Sequence, residues 1–147
     1  MLELEDGTFL AESNAILFYL AEGTPLLPSG RLERARVLQW MFFEQYSHEP
    51  YIAVARAWLH IFGMDEERRR QLSQKQKLGY DALGVMEGHL AARAFFVGER
   101  YSIADIALYA YTHVADEGGF DLARFPAVRA WLDRVRAEPR HVPITQG

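Results

Sequence analysis

The sequence predicts a mostly α-helical protein: a helical bundle preceded by a β-hairpin and one short helix. Three observations carry this. Tyr101 to Ala110 reads as a capped helix that is apolar nearly all round, and a helix with no polar face is buried on all sides. The long segments before and after it repeat apolar residues at helical spacing, so they are expected to pack around it. Only residues 1–12 read as strand. There Leu2, Leu4 and then Thr8, Phe9, Leu10 flank Asp6-Gly7, a pair that favours positive φ and marks a hairpin turn. Two short strands are marginal alone, so this hairpin needs helices to pack on or a sheet to join.

In chain order, Ser13 is expected to cap a helix over residues 14–22, which Gly23 ends. Residues 24–30, with Pro25, Pro28 and Gly30, have the composition of a linker. They divide an N-terminal unit of residues 1–23 from a helical unit of residues 31–147. An amphipathic helix follows over residues 31–49, with a break or kink at Pro50, where a donor is missing and the ring crowds the preceding turn. The helix resumes to Phe62 and stops at Gly63. Asp65 caps the next helix, which runs to about residue 92 with Leu72, Gly79, Leu83, Met86 and Leu90 as its seam. Gly79, Gly84 and Gly88 suggest close packing, since each costs about 1 kcal/mol against alanine in a helix. Ser102 and Asp105 have the spacing of a capping box, with Tyr101 and Ile106 as a hydrophobic staple. Residues 116–125 read as a loop with one helical turn near its end. Pro126 opens the last helix, whose stripe is Val128, Trp131, Leu132 and Val135, and Pro139 stops it. Arg140 to Gly147 is expected to be a surface tail.

The totals narrow the function. At 147 residues, half of them apolar, the chain can build one good core. A net charge of −4 gives no electrostatic case for nucleic acid. No apolar run is long enough for a bilayer, and the N-terminus lacks the basic segment and apolar core of a signal peptide. Zero cysteines exclude disulfides, thiolate metal sites and cysteine nucleophiles from these residues and fit a reducing, cytoplasmic setting. The five histidines show no metal-ligand spacing, so no metal is expected.

Three pieces stand in order: a hairpin ending in Glu12-Ser13-Asn14-Ala15-Ile16, a proline-containing linker, and a helical unit carrying Ser102-Ile103-Ala104-Asp105. Together with Phe125-Pro126-Ala127-Val128-Arg129-Ala130-Trp131-Leu132, they resemble the cytosolic glutathione transferase family, bacterial members in particular. The resemblance covers essentially the whole chain. It implies that residues 1–23 correspond to the end of a thioredoxin-like, glutathione-binding domain and residues 31–147 to the all-helical domain that holds the electrophile. It implies glutathione as co-substrate, an electrophilic small molecule as second partner, and a homodimer. Family members also carry a leading strand and helix with the Tyr, Ser or Cys that stabilises the glutathione thiolate, and a cis-proline before the strand that here begins near Leu2. Neither is among these residues. The chain is therefore expected to correspond to a member without its first third, with no catalytic residue of its own and little conjugating activity alone.

Within that resemblance, Glu12 and Ser13 are the expected glutathione-binding pair. A carboxylate beside a helix N-terminus can hold an ammonium, while a hydroxyl and free backbone N–H groups can hold a carboxylate. The γ-glutamyl end of glutathione has both groups on one carbon. Spacing alone favours the plainer reading, in which Ser13 only caps. Tyr46, near His48 on the helix that lines the family's electrophile pocket, could offer its hydroxyl there. The preferred plainer reading is an aromatic packed in the core with its hydroxyl reaching solvent. Ser102 and Asp105 are structural, both turned onto the backbone. Two other classes of function stay open. One is a non-catalytic helical module that binds a protein partner, as the same domain does in some translation proteins. The other is an incomplete product of a longer gene.

Overall fold

A computed structural model describes residues 1–142 of the chain. The hairpin is present, with β1 (Leu2–Glu3) antiparallel to β2 (Phe9–Leu10) and Leu2 opposite Leu10. Gly7 takes φ +81° in the turn, and Asp6 Oδ1 accepts the amide of Thr8 at 2.9 Å. Helix α1 spans Ser13–Ala21 and ends before Gly23, at φ +75°, the left-handed position that glycine occupies without penalty. The linker is tied down rather than loose. Leu27 is buried, and the carbonyl of Leu26 accepts the amide of Ile103 at 3.1 Å, satisfying an orphan donor at the start of the central helix.

The next stretch corrects the expected break at Pro50. Helix α2 (Arg31–Phe43) passes into a π-helical turn, Glu44–His48, and then into α3 (Glu49–Arg56) and a second π-helical turn, Ala57–Phe62. The path stays helical through Pro50, which sits in the first turn of α3. Proline cannot donate to the carbonyl four residues back and crowds it. The wider turn just ahead absorbs that mismatch, so the irregularity precedes the proline. Gly63, at φ +77°, then ends the path.

Helix α4 (Glu66–Leu90) is capped by Asp65, whose side chain accepts the Arg68 amide at 2.7 Å. Helix α5 (Ile103–Thr112) is the centre of the bundle. Ile103, Ala104, Asp105, Ala107, Leu108, Tyr109 and Thr112 are all buried, and α1, α2, α3 and α6 pack on it. Two 3₁₀ turns, Ala115–Gly118 and Leu122–Arg124, occupy the expected loop, and α6 (Pro126–Arg136) closes the bundle. The core is aromatic at its middle. Trp40 lies 4.6 Å from Phe96 between ring centres, and Phe96 lies 5.1 Å edge-on to Trp131. Of the tail expected over Arg140 to Gly147, His141 packs edge-on against Tyr109 at 5.2 Å between ring centres, and residues 143–147 fall outside the described residues.

The three glycines of α4 divide. A methyl on Gly79 would come within 2.5 Å of the Phe120 ring, whereas one on Gly84 or Gly88 would meet no atom within 4 Å. Close packing therefore accounts for Gly79 and not for the other two. Gly79→Ala is expected to destabilise by about 1–3 kcal/mol through overpacking. Gly84→Ala and Gly88→Ala should each add about 0.5–1 kcal/mol by restricting the unfolded chain. Urea midpoints at constant m-value would show the opposite signs.

Candidate functional site: the start of helix α1

Among the described residues, Glu12 is the sole non-glycine with positive φ, at φ 67°, ψ 119°. Such a conformation costs about 1–3 kcal/mol and persists only where surrounding structure holds it. The helix starts one residue earlier than expected. Ser13 is its first residue, and Glu12, not Ser13, occupies the cap position, its carbonyl accepting the Ile16 amide at 2.9 Å. Among the described residues, no side chain caps this end. The amides of the first turn therefore point outward without intrahelical partners, beside the exposed side chains of Glu12 and Ser13. A carboxylate, a hydroxyl and free N–H groups at the positive end of a helix dipole now share one corner. That set can take an ammonium and a carboxylate together.

Asn14 joins this corner to the bundle. Its side-chain amide donates to the Met41 carbonyl at 3.2 Å and to Glu44 Oε2 at 3.0 Å. Glu44 is buried in the first π-helical turn and also accepts from Gln45 Nε2 at 2.9 Å. Burial pushes its carboxyl above the usual range. The hydrogen bonds from Gln45 and Asn14 pull back, and nearby Glu49 pushes further up. Burial also raises the Tyr111 hydroxyl, the charges of Glu49 and Glu44 add to that rise, and Arg56 opposes it. Neither Asn14 nor Glu44 was singled out from sequence. The available signal was an acid directly after Trp40-Met41-Phe42-Phe43, at a position too apolar for an ordinary solvated face.

A cavity of about 1050 Å³ lies between the N-terminal unit and α2, lined by Leu10, Glu12, Asn14, Phe18, Leu38, Met41, Phe42 and Gln45 among others. Its walls are chiefly apolar. Phe42, Leu20 and Phe9 are 68%, 58% and 59% exposed, whereas Trp40, two residues before Phe42, belongs to the core. Tyr46 is 83% exposed. The expectation that it packs in the core is wrong, because the π-helical turn carries Glu44 and His48 inward and leaves Tyr46 outside. The cavity lining includes its neighbours Phe42 and Gln45 instead.

Ser102 and Asp105 form the expected capping box, in a fuller form. Asp105 Oδ2 accepts the Ser102 amide at 2.9 Å and the Ser102 hydroxyl at 3.0 Å. Its Oδ1 accepts the Phe96 amide at 3.1 Å and Trp131 Nε1 at 3.0 Å. Among the described residues, no helix is long and apolar enough to cross a membrane.

Comparison with known proteins agrees with this architecture. Residues 41–139 match the family model described as the glutathione S-transferase C-terminal domain. A glutathione S-transferase from Pseudomonas fluorescens Pf-5 superposes with a TM-score of 0.93 at 63% identity, over 96% of this chain and 70% of that one. A glutathione transferase family member from the same organism, solved with two glutathione bound, gives a TM-score of 0.78 at 30% identity, over 88% of this chain and 60% of its own. Elongation factor 1-gamma of Artemia salina is 35% identical over 121 residues, which is 78% of this chain but only 27% of that protein. The chain thus spans only part of the length of the relatives it matches. A mostly helical bundle behind a two-stranded hairpin, matched by this domain model over most of its length and by these structures, places the chain in the glutathione S-transferase family.

Proposed function

We propose that the start of α1 is half of a glutathione-binding site, with Glu12 taking the γ-glutamyl ammonium and Ser13 with the first-turn amides taking the carboxylate. The observation that carries this reading is the uncapped helix start, whose donors are left free beside a carboxylate. A structural neighbour that holds glutathione supports it. Residues 1–23 are then the closing part of a thioredoxin-like domain, and the helical unit that follows the linker is the side that meets an electrophile, where Tyr46, exposed and outside the cavity lining, is the candidate hydroxyl. The thiolate-stabilising hydroxyl or thiol of the family has no counterpart in these residues, so the chain alone is expected to bind glutathione more readily than to conjugate it. A cytoplasmic setting goes with this reading. The purified chain should be retained on immobilised glutathione and eluted by free glutathione, and Ser13→Ala should pass through. Equal retention of the two would contradict the assignment.

The exposed side chains of Leu20 and Phe42 and the apolar cavity between α1 and α2 also favour a homodimer built on this face, since patches of this kind mark association surfaces. Light scattering at micromolar concentration should give twice the chain mass, and Phe42→Asp should give the single mass. A wild-type monomer would remove this part of the proposal. The similarity to an elongation factor subunit favours one second reading, a non-catalytic module that binds a protein partner. It predicts no glutathione affinity at all.

A further inference from the structure

We infer that Glu44 is a positioning residue for the Glu12–Ser13 corner, holding the left-handed backbone of Glu12 through Asn14. This deepens the glutathione reading and rests on it for its ligand, though not for its structural test. Glu12 cannot hold its own conformation. Its side chain is exposed and caps nothing, and its carbonyl makes only the ordinary first bond of the helix, to the Ile16 amide. The anchor lies two residues on. The amide nitrogen of Asn14 has two protons, and each has an acceptor on the other unit, the Met41 carbonyl and Glu44 Oε2. Two bonds on one planar group fix its plane and direction, and with them the first turn of α1. Glu12, between that fixed turn and the hairpin, is left with the φ the join requires.

Glu44 is an expensive residue to bury for any lesser purpose. Asn14 of α1 and Gln45 of its own turn lie within hydrogen-bond distance of it, and the charge of Glu49 in α3 pushes its carboxyl further up. Two of these donate to it, one is a like charge, and no cation pairs with it among the described ion pairs. A buried carboxylate survives when its hydrogen bonds offset desolvation. The bond that leaves its own helix goes to Asn14. The π-helical turn supplies the register, since an added residue in the turn re-aims the side chains that follow.

The test has two arms on the full 147-residue chain. The first uses no ligand: a strong intraresidue HN–Hα NOE reports positive φ at Glu12. Wild type and Glu44→Gln, which keeps an oxygen to accept from Asn14, should show it. Glu44→Leu and Asn14→Ala should lose it while the amide spectrum of α5 stays in place. Persistence of the signal in Asn14→Ala would overturn the inference, and that substitution, in the partly buried first turn, carries the test even where Glu44→Leu does not fold. The second arm titrates glutathione into the same proteins. Asn14→Ala and Glu44→Leu should weaken binding about tenfold, with Glu44→Gln near wild type, as expected for loss of a charge-assisted hydrogen bond. If Ser13→Ala weakens binding and Asn14→Ala does not, the positioning role is wrong and the site stands. If wild type binds no glutathione, the site reading fails and the NOE alone decides the positioning.

Discussion

Asp105→Ala is expected to lower stability by about 3–5 kcal/mol, the range for removing one partner from a fully buried, hydrogen-bonded charge. For a domain of this size that is a fall in Tm of roughly 10–15 °C. Asp105 has no exposed surface. It accepts four donors, from Phe96, Trp131 and twice from Ser102. Burial pushes its carboxyl up, and these hydrogen bonds push it back down. Alanine would leave two backbone amides, an indole N–H and a hydroxyl to find partners in a packed interior. Asp105→Asn is no milder substitute. Each oxygen receives two donors, so an amide nitrogen at Oδ1 would face the fixed hydrogens of Phe96 and Trp131, and one at Oδ2 would face the fixed amide hydrogen of Ser102 even with the Ser102 hydroxyl turned to accept. Calorimetric melts should therefore place the asparagine variant close to alanine. An asparagine protein as stable as wild type would show that the carboxylate's four bonds do not act together.

The second large effect is on pH dependence. His48 is fully buried in the first π-helical turn, and burial pushes its pKa down to about 3. The Thr112 hydroxyl donates to the Leu108 carbonyl at 2.6 Å, using its only proton. His48 Nε2, 2.8 Å from that hydroxyl oxygen, therefore carries the proton of their shared bond. Nδ1 is left bare, with no partner among the described residues. The ring is neutral in the fold, while in the unfolded chain it takes a proton below its ordinary value near 6.5. The stability it supports is thus complete above that value and is lost as pH falls toward about 3. The slope is about 1.4 kcal/mol per pH unit, or about 2–3 kcal/mol by pH 4.5. Glu44 and Asp105, both pushed up by burial, act in the opposite sense, since the fold holds their protons more tightly than the unfolded chain does. His48→Gln keeps a donor for Thr112 and removes the titration. Urea unfolding of both proteins from pH 7 to pH 4.5 should show the wild type losing this extra stability. Parallel curves would mean that His48 is solvated or charged in the fold.

Both effects arise at residues that local pattern reading only partly describes. Ser102-Ile103-Ala104-Asp105 was legible as a capping box because its partners lie three residues apart. The bonds from Phe96 and Trp131 were not, because they come from chain 9 and 26 residues away. The hairpin, the glycine stops and the buried central helix were legible for the same reason: their causes are turn residues and apolar spacing within one segment. The π-helical turns were not. The first answers to Pro50, and it changes which side chains of residues 44–48 face inward. That shift leaves Tyr46 outside, against the core position that local spacing predicts for it, and brings Glu44 inward. At the corner itself, Glu12 and Ser13 were legible as residue types, while the strained backbone of Glu12 and the lack of a cap became visible only in three dimensions.

The measurement that tests the central claim most directly is calorimetric titration of the purified chain with glutathione, run beside Ser13→Ala. Saturable binding that weakens by about tenfold or more in Ser13→Ala is the predicted result, matching the loss of a hydrogen bond to a charged group at the helix start. No heat of binding in wild type, or equal affinity in the two proteins, would contradict a glutathione half-site at the start of α1.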